Sequence, residues 1–266
     1  MEPFSPRQLD IVALAKVKGR VDVDELSDKF EVTPQTIRKD LNQLCNRGAL
    51  NRFHGGAVPP SGVANVAYEA RRLLATDAKR DIGKTAASLI PDGASMLINI
   101  GTTTEQVAAA LRNREGLMVI TNNINVANIM QGSDTNQVIV AGGVLRHTDG
   151  GIVGEQTVDF IRQFKVDFAI IGTSAIDPDG SLFDYDYREV KVAKAIIDCA
   201  RQSILVADSI KLERTAPVRI GHIAELDHFV TERAPPRPFQ RICGEHGVQI
   251  DLAVSDKPPL LGKSAS

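Results

Sequence analysis

Apolar residues in the first sixty positions fall at helical spacings. Between Pro6 and Lys18, Leu9, Ile11, Val12, Leu14, Ala15 and Val17 form an apolar stripe that predicts a packed first helix. Asp22 or Asp24 can cap a second helix through Glu25, Leu26 and Phe30, and Glu31-Val32 makes the turn out of it. In Thr33-Pro-Gln-Thr-Ile-Arg-Lys-Asp-Leu-Asn-Gln-Leu, the apolar residues Ile37, Leu41 and Leu44 recur at spacings of four and three. That spacing puts all three on one face of a third helix. Thr33 suits its N-cap, and Pro34 its first position, where no N–H is needed. After Gly48 the alternation is poor, but Gly55-Gly56 permits the positive-φ turn of a β-ribbon.

From residue 76 the pattern changes to short apolar runs separated by helical periods. The runs predict strands at Met96–Ile100, Leu117–Thr121, Gln137–Ala141, Asp167–Gly172, Ser203–Ala207, His228–Thr231 and Val248–Leu252. The intervening segments predict helices at Asp77–Leu89, Glu105–Arg112, Ile124–Met130, Glu155–Gln163, Glu189–Ala200 and Pro236–His246. Strands alternating with helices imply an α/β fold with a mostly parallel sheet covered on both faces. Pro59-Pro60-Ser61-Gly62 marks a boundary. The expected organisation is a winged helix-turn-helix over 1–58, a linker over 59–75, an α/β domain over 76–253, and a disordered Pro/Gly/Ser-rich tail over 254–266. Within the linker, Tyr68-Glu-Ala-Arg-Arg is suited to a helix that touches the second domain.

Composition narrows the chemistry. The 266 residues carry 43% hydrophobic residues and a net charge of −2, so any contact with nucleic acid is local rather than general. Residues 1–60 hold nine Lys/Arg against eight Asp/Glu. Within 33–54, Arg38, Lys39, Arg47 and Arg52 face Asp40 alone, a local net of +3. The three cysteines, Cys45, Cys199 and Cys243, lie too far apart for a zinc or redox motif and read as reduced thiols. No metal and no cofactor is expected. With no Trp and three Tyr, a single-strand stacking platform is disfavoured. No apolar run approaches membrane-spanning length and no leader precedes the first helix, so the expected compartment is the cytoplasm.

The third helix carries Gln35, Arg38, Lys39, Asn42 and Asn46 opposite its apolar face. Forked Gln, Asn and Arg groups match base edges in the major groove, while Lys39 suits a phosphate. The expected contacts with double-stranded operator DNA are Thr33, Gln35, Thr36, Arg38, Lys39 and Asn42, with Arg52 and His54 on the wing.

In parallel sheets ligands bind beyond the C-terminal strand ends. Gly101-Thr102-Thr103-Thr104 follows the first strand of the second domain, Asn122-Asn123 the next and Gly142-Gly143 the third. Gly172 ends the fourth, and Asp208 with Lys211 follows the fifth. Successive strands ending in small or hydrogen-bonding residues imply one convergent pocket, suited to a phosphate held at a helix N-terminus. Arg146, Lys194 and Lys211, ahead of Lys191, are the candidate counter-charges. Asp184 and Asp186, beside Tyr185 and Tyr187, suit either polyol hydroxyls or a solvated turn.

The chain resembles DeoR-type bacterial transcription regulators, through Val32-Thr-Pro-Gln-Thr-Ile-Arg-Lys-Asp-Leu and Arg52-Phe-His-Gly-Gly-Ala-Val. The resemblance continues to about residue 253 through Thr121-Asn-Asn-Ile-Asn-Val-Ala-Asn, Ala141-Gly-Gly-Val-Leu-Arg, Asp149-Gly-Gly-Ile-Val-Gly-Glu and Asp184-Tyr-Asp-Tyr. It implies a repressor acting as a dimer or tetramer, with a phosphorylated sugar or polyol as effector, glycerol 3-phosphate first among them. It also implies a sensing domain similar in fold to ribose-5-phosphate isomerase, whose Gly-Thr-rich phosphate loop corresponds to Gly101–Thr104. The isomerase carboxylates would fall at Ile171-Gly172-Thr173-Ser174, where none stands, so no catalytic residue is expected. The regulators commonly carry Asp two residues before the Gly-Thr-Thr; here that residue is Asn99.

Overall fold

A computed structural model describes residues 4–18, 20–47, 49–53, 55–58, 68–73, 75–132 and 134–253. His54, the middle of the expected linker and the tail expected to be disordered lie outside the described residues.

The amino-terminal part runs α1 (Pro6–Lys18), β1 (Val21–Asp22), α2 (Val23–Phe30), α3 (Pro34–Asn46), β2 (Asn51–Phe53) and β3 (Gly56–Val58). The ribbon pairs β2 with β3, and β1 adds to the other side of β3, giving the order β1-β3-β2. Ile11 and Ala15 of α1, Leu26 of α2 and Ile37, Leu41 and Leu44 of α3 close into one core with Val21, Leu50 and Ala57. Thr33 caps α3 by accepting the Thr36 N–H at 3.3 Å. Asp22 occupies the N-cap of α2 without a side-chain capping bond. Glu31 leaves that helix in the left-handed region, and the Ser27 hydroxyl donates to the Val32 carbonyl at 2.5 Å, which fixes the turn.

The remainder runs α4 (Tyr68–Leu73), α5 (Thr76–Ser88), β4 (Ser95–Ile98), α6 (Thr102–Leu111), β5 (Met118–Thr121), α7 (Ile124–Met130), β6 (Gln137–Val140), β7 (Val144–Leu145) and β8 (Ile152–Val153). It continues with α8 (Glu155–Ile161), β9 (Val166–Ile171), β10 (Ala175–Ile176), β11 (Ser181–Asp184), α9 (Tyr187–Asp198) and β12 (Ala200–Val206). The last elements are β13 (Val218–His222), β14 (His228–Thr231), α10 (Arg237–Glu245) and β15 (Gln249–Leu252), with a 3-10 turn at Ser209–Glu213 after β12.

Each of the seven expected strands is a strand of one sheet, parallel throughout, in the order β15-β14-β12-β9-β4-β5-β6. Alternation sorts its side chains into two layers. Met96, Ile98, Ile170, Ile204 and Val206 meet Ile82, Ala86, Val107 and Val126 of α5, α6 and α7. Leu97, Ala169, Ile171, Leu205 and Phe229 meet Val158, Ile161, Ile196 and Phe239 of α8, α9 and α10. The chain starts at β4, builds outward through β5 and β6, then returns to build β9, β12, β14 and β15 on the other side. The order therefore reverses between β4 and β9, which opens a crevice beyond their C-terminal ends.

Two features depart from the sequence reading. Asp184 belongs to neither a turn nor open solvent: it ends β11, in an antiparallel sheet ordered β10-β11-β13, and is buried. The β7–β8 hairpin is also absent from the expectations. β7, β8 and β10 have two residues each, too few to show a period of two, and β11 pairs with β13 across α9 and β12.

Candidate nucleic-acid interface and anion site

The apolar stripe of α3 is fully buried, which turns Gln35, Arg38, Lys39, Asn42 and Asn46 outward. Thr33, Gln35, Thr36, Arg38, Lys39 and Asn42 line one shallow groove with Ser5 and Arg7 from the start of α1. Asp40, the lone acid of this stretch, is buried. It accepts from Arg7 Nε at 2.7 Å and from Gln8 Nε2 at 3.1 Å, tying α1 to α3. The outward face of α3 is left with its cations and amides. Arg52, on β2, is exposed, with a long contact of 3.4 Å from Nη1 to the Gly56 carbonyl.

At the β4 end, Gly101 adopts φ +149°, a conformation that favours glycine, and turns the chain into α6. Thr104 is fully buried and its hydroxyl is spent on the loop itself, donating to the carbonyls of Asn99 and Gly101, both at 2.8 Å. Thr102 and Thr103 are buried beside it. Asn99 is buried, and its amide oxygen accepts the Ile100 N–H at 2.8 Å. At the β5 end, Asn122 donates to the Ile152 carbonyl at 3.1 Å while its Oδ1, buried, has no partner among the described residues. Asn123 caps α7 through Asn125 N at 2.9 Å and donates to Glu105 at 3.3 Å. Gly172 closes the crevice at the β9 end, facing Ile100 and Thr104.

Other residues expected at the pocket are committed elsewhere. Gly142 and Gly143 are exposed at the sheet edge and serve α8: the Thr157 hydroxyl donates to the Gly142 carbonyl at 2.8 Å. A Cβ on Gly143 would sit 2.1 Å from that hydroxyl oxygen. Arg146 is enclosed by carboxylates. It donates to Asp149 at 2.8 and 2.6 Å, to Asp186 at 3.1 Å and to Glu189 at 2.5 Å. This arrangement braces the β7–β8 loop against the start of α9. Lys194 stays on the exposed side of α9, beside Arg219 and Glu225, and is not brought to the strand ends.

Lys211 is brought there, by the turn after β12, and it joins cations that the sequence reading passed over. Lys79 of α5, Arg214 and Asp208 are buried, and Arg71 of α4 has a side chain only 13% exposed. Lys211, Arg214, Arg71 and Lys79 are close enough to perturb one another. Burial pushes Lys211 down to about 7, opposed by Asp208, and lowered further by Arg214, Arg71 and Lys79. Burial likewise pushes Lys79 down to about 8. Four cations thus share the carboxylates Asp208 and Asp184, with Glu105 also acting on Lys79 and Asp149 on Arg71, and among the described residues Arg71 Nε, Arg214 Nε and Asp208 Oδ1 are buried without hydrogen-bond partners. Buried polar groups are almost always paired, and guanidinium donors inside a cation cluster suit an anionic partner. Next to the cluster, a cavity of about 380 Å³ opens between α4, α5, α6 and α7, with Lys79, Thr102 and Glu105 in its wall.

The sequence held one signal for this. Lys79 sits three residues before Ile82 and seven before Ala86, so it lies on the buried stripe of α5. A lysine there requires a buried role. Arg71 lies in Tyr68-Glu-Ala-Arg-Arg, which suits a helix touching the second domain, as α4 does, but has no periodicity that marks one of its cations as buried.

A carboxylate also reaches the β9 end. Ser174 donates to Asp184 at 3.1 Å, and the Tyr185 N–H donates to the same side chain at 2.6 Å. The strand itself has no acid there, as expected, but the neighbouring antiparallel sheet delivers one. Burial raises the Asp184 carboxyl above its ordinary range. Glu189 is pushed up to about 8, chiefly by burial and then by Asp184, against the pull of Arg146.

Among known proteins, residues 7–62 match the DeoR-like helix-turn-helix domain and residues 74–233 the DeoR C terminal sensor domain. The glycerol-3-phosphate regulon repressor of Escherichia coli (strain K12) is 44% identical over 246 residues, spanning 92% of this chain and 98% of that one. The glycerol-3-phosphate regulon repressor of Haemophilus influenzae is 46% identical over 231 residues, spanning 87% and 90%. Ribose 5-phosphate isomerase A from Methanocaldococcus jannaschii is a more distant likeness. It is 16% identical with a TM-score of 0.39, over 52% of this chain and 54% of that one. Among the described residues no helix is long and apolar enough to cross a membrane.

Proposed function

The chain belongs to the DeoR family, and on that premise we propose a DNA-binding transcriptional repressor that a phosphorylated small molecule releases from its operator. The outward face of α3 enters the major groove of duplex DNA. Gln35, Arg38 and Asn42 read base edges there, and Thr33, Thr36 and Lys39 hold phosphates. Arg52 on the wing follows the adjacent backbone. A two-fold operator needs a second head one helical turn away, so the working species is a dimer or a tetramer.

The effector occupies the crevice at the β4–β9 reversal. Its anionic group pairs with Lys211, Lys79, Arg71 and Arg214, and Gly101, Thr102, Thr103 and Gly172 shape the approach. The observation that carries this reading is the pair of guanidinium donors, Arg71 Nε and Arg214 Nε, buried without a partner among the described residues where four cations meet. The names of the relatives make glycerol 3-phosphate the first candidate, ahead of other sugar or polyol phosphates. Binding selects an arrangement of heads that mismatches the operator, which lowers DNA affinity.

A thermal-shift panel of phosphorylated three- to six-carbon metabolites tests the sensor. Glycerol 3-phosphate is expected to raise the melting temperature selectively, since a ligand that binds only the folded state stabilises it. Indifference to every member, by a protein that still holds operator DNA, would overturn the sensing role. Thr102→Val is expected to leave operator affinity intact and to blunt release; full release in a reporter strain would exclude Thr102 from the site. One observation favours a second reading, sugar-phosphate isomerisation: the raised Asp184 carboxyl at the β9 end suits a proton-abstracting base. An assay of ribose 5-phosphate conversion separates the two, and no turnover is expected.

A further inference from the structure

α4 is the described element that stands nearest in sequence to the amino-terminal head on the sensor side. It spans six residues, too few to be stable alone, so its contacts decide where it lies. Those contacts run to the sensing site itself. The Tyr68 hydroxyl donates to Glu105 Oε2 at 2.7 Å and accepts from Asn125 Nδ2 at 3.0 Å, which clasps the helix to α6 and α7. Lys79 Nζ donates to the Arg71 carbonyl at 2.5 Å, tying α4 to α5. Glu105 and Lys79 both line the cavity, as does Arg72 of α4.

Arg71 is the least settled member of this group. Its ion pair with Asp149 is long, at 3.5 Å, and Asp149 is already taken twice by Arg146 and once by the Gly151 N–H. Its Nε is buried with no hydrogen-bond partner among the described residues. Around it stand the like charges of Lys79, Lys211 and Arg214. An anion entering that cluster offers Arg71 a better partner than the one it has.

Resting on the sensing role proposed above, we infer that Arg71 is a ligand of the effector's anionic group and that α4 is the element through which effector binding reaches the head. The anion draws Arg71 away from Asp149. Because Tyr68, the residue of α4 nearest the head, is held by Glu105 of the cavity wall and by Asn125, a shift of Arg71 within this short helix loads that clasp and, through it, the chain that leads to the head. The sensing site is then built partly from the connecting segment, and ligand binding and head placement become one event.

The test uses the full-length protein, glycerol 3-phosphate with inorganic phosphate as a second probe, and an operator fragment selected by the wild type. Calorimetry measures ligand affinity, free and DNA-bound, and fluorescence anisotropy measures operator affinity. Arg71→Ala is expected to weaken glycerol 3-phosphate binding on the order of tenfold or more, with operator affinity within about twofold of wild type. Arg71→Gln, of similar length and still a donor, serves where the alanine variant is unstable, with the same expectation. Tyr68→Phe is expected to keep ligand affinity within about threefold while the ratio of free to DNA-bound ligand affinity falls about fivefold or more. An Arg71 variant that binds ligand as tightly as wild type, or a Tyr68→Phe protein that couples fully, overturns the inference and leaves the sensor reading standing. A wild type that binds neither probe overturns both.

Discussion

At the scale of single residues, the head and the sensor use charge in opposite ways. On α3, Arg38 is exposed and Asp40 is withdrawn into a bond with Arg7, so the groove keeps its cations without an opposing acid. Arg38→Ala is expected to cost about 1–3 kcal/mol of specific operator binding. Equal affinity of variant and wild type in a salt-matched titration would exclude Arg38 from base readout. In the sensor, burial holds Lys211 down to about 7 and Lys79 down to about 8. Above those values the ligand-free lysines are increasingly neutral, and an anion favours their charged forms. Binding of glycerol 3-phosphate is therefore expected to take up protons at pH 8 and to weaken as pH rises through the interval from 7 upward. Calorimetry in two buffers of different ionisation enthalpy checks this; equal apparent enthalpies would contradict it. The ligand-free protein has the opposite dependence. Lysines with depressed values bind fewer protons folded than unfolded, so their penalty on stability is largest below 7 and eases as pH rises.

At the scale of elements, the close approach of α5 and α6 sets the width of the site, because α5 carries Lys79 and α6 begins with the threonines. Gly83 makes that approach possible: a Cβ there would lie 2.6 Å from the carbonyl carbon and oxygen of Gln106. In an isolated helix Gly→Ala is worth up to about 1 kcal/mol of added stability. Here the clash is with backbone, and overpacking of this kind costs about 1–3 kcal/mol. Gly83→Ala is expected to lower the melting temperature and to weaken effector binding, since the helices must part. A variant more stable than wild type would show that α5 shifts freely. The elements that positioned these groups were legible to different degrees. Helices and strands with several periods, such as α7 and β14, are where the apolar pattern puts them. Strands of two residues, such as β7 and β10, have no period to read, and β11 finds its partner β13 only across α9 and β12. The β10-β11-β13 sheet shows the cost: without it Asp184 looks like a turn residue, and with it a buried carboxylate stands beside the strand ends.

At the scale of the whole molecule, the two halves must be coupled for a repressor to respond. Reciprocity then requires operator DNA to weaken effector binding by the same factor by which effector weakens operator binding. Titrating glycerol 3-phosphate into the protein with and without saturating operator measures one factor, and operator titrations with and without ligand measure the other. Unequal factors would mean that the two titrations do not share one equilibrium, for example because ligand changes the oligomer. Sedimentation of the protein alone and with ligand is expected to give one dimeric or tetrameric species throughout.

The amino-acid sequence alone determined what local rules can reach: a capped, one-sided α3, a glycine turn for the ribbon, and buried strands alternating with helices. It also determined that the strand ends carry glycine, threonine and asparagine. Only the tertiary structure decided which of those groups face a common space. Arg146 is consumed by Asp149, Asp186 and Glu189, and Lys194 is turned outward, while Arg71 and Lys79 arrive beside Lys211 and Arg214 from a segment far away along the chain. Periodicity fixes the face on which a residue lies, but charge clusters form between elements. The order of strands across the sheet, and with it the place where the sheet reverses, is set by long-range packing that no local spacing encodes.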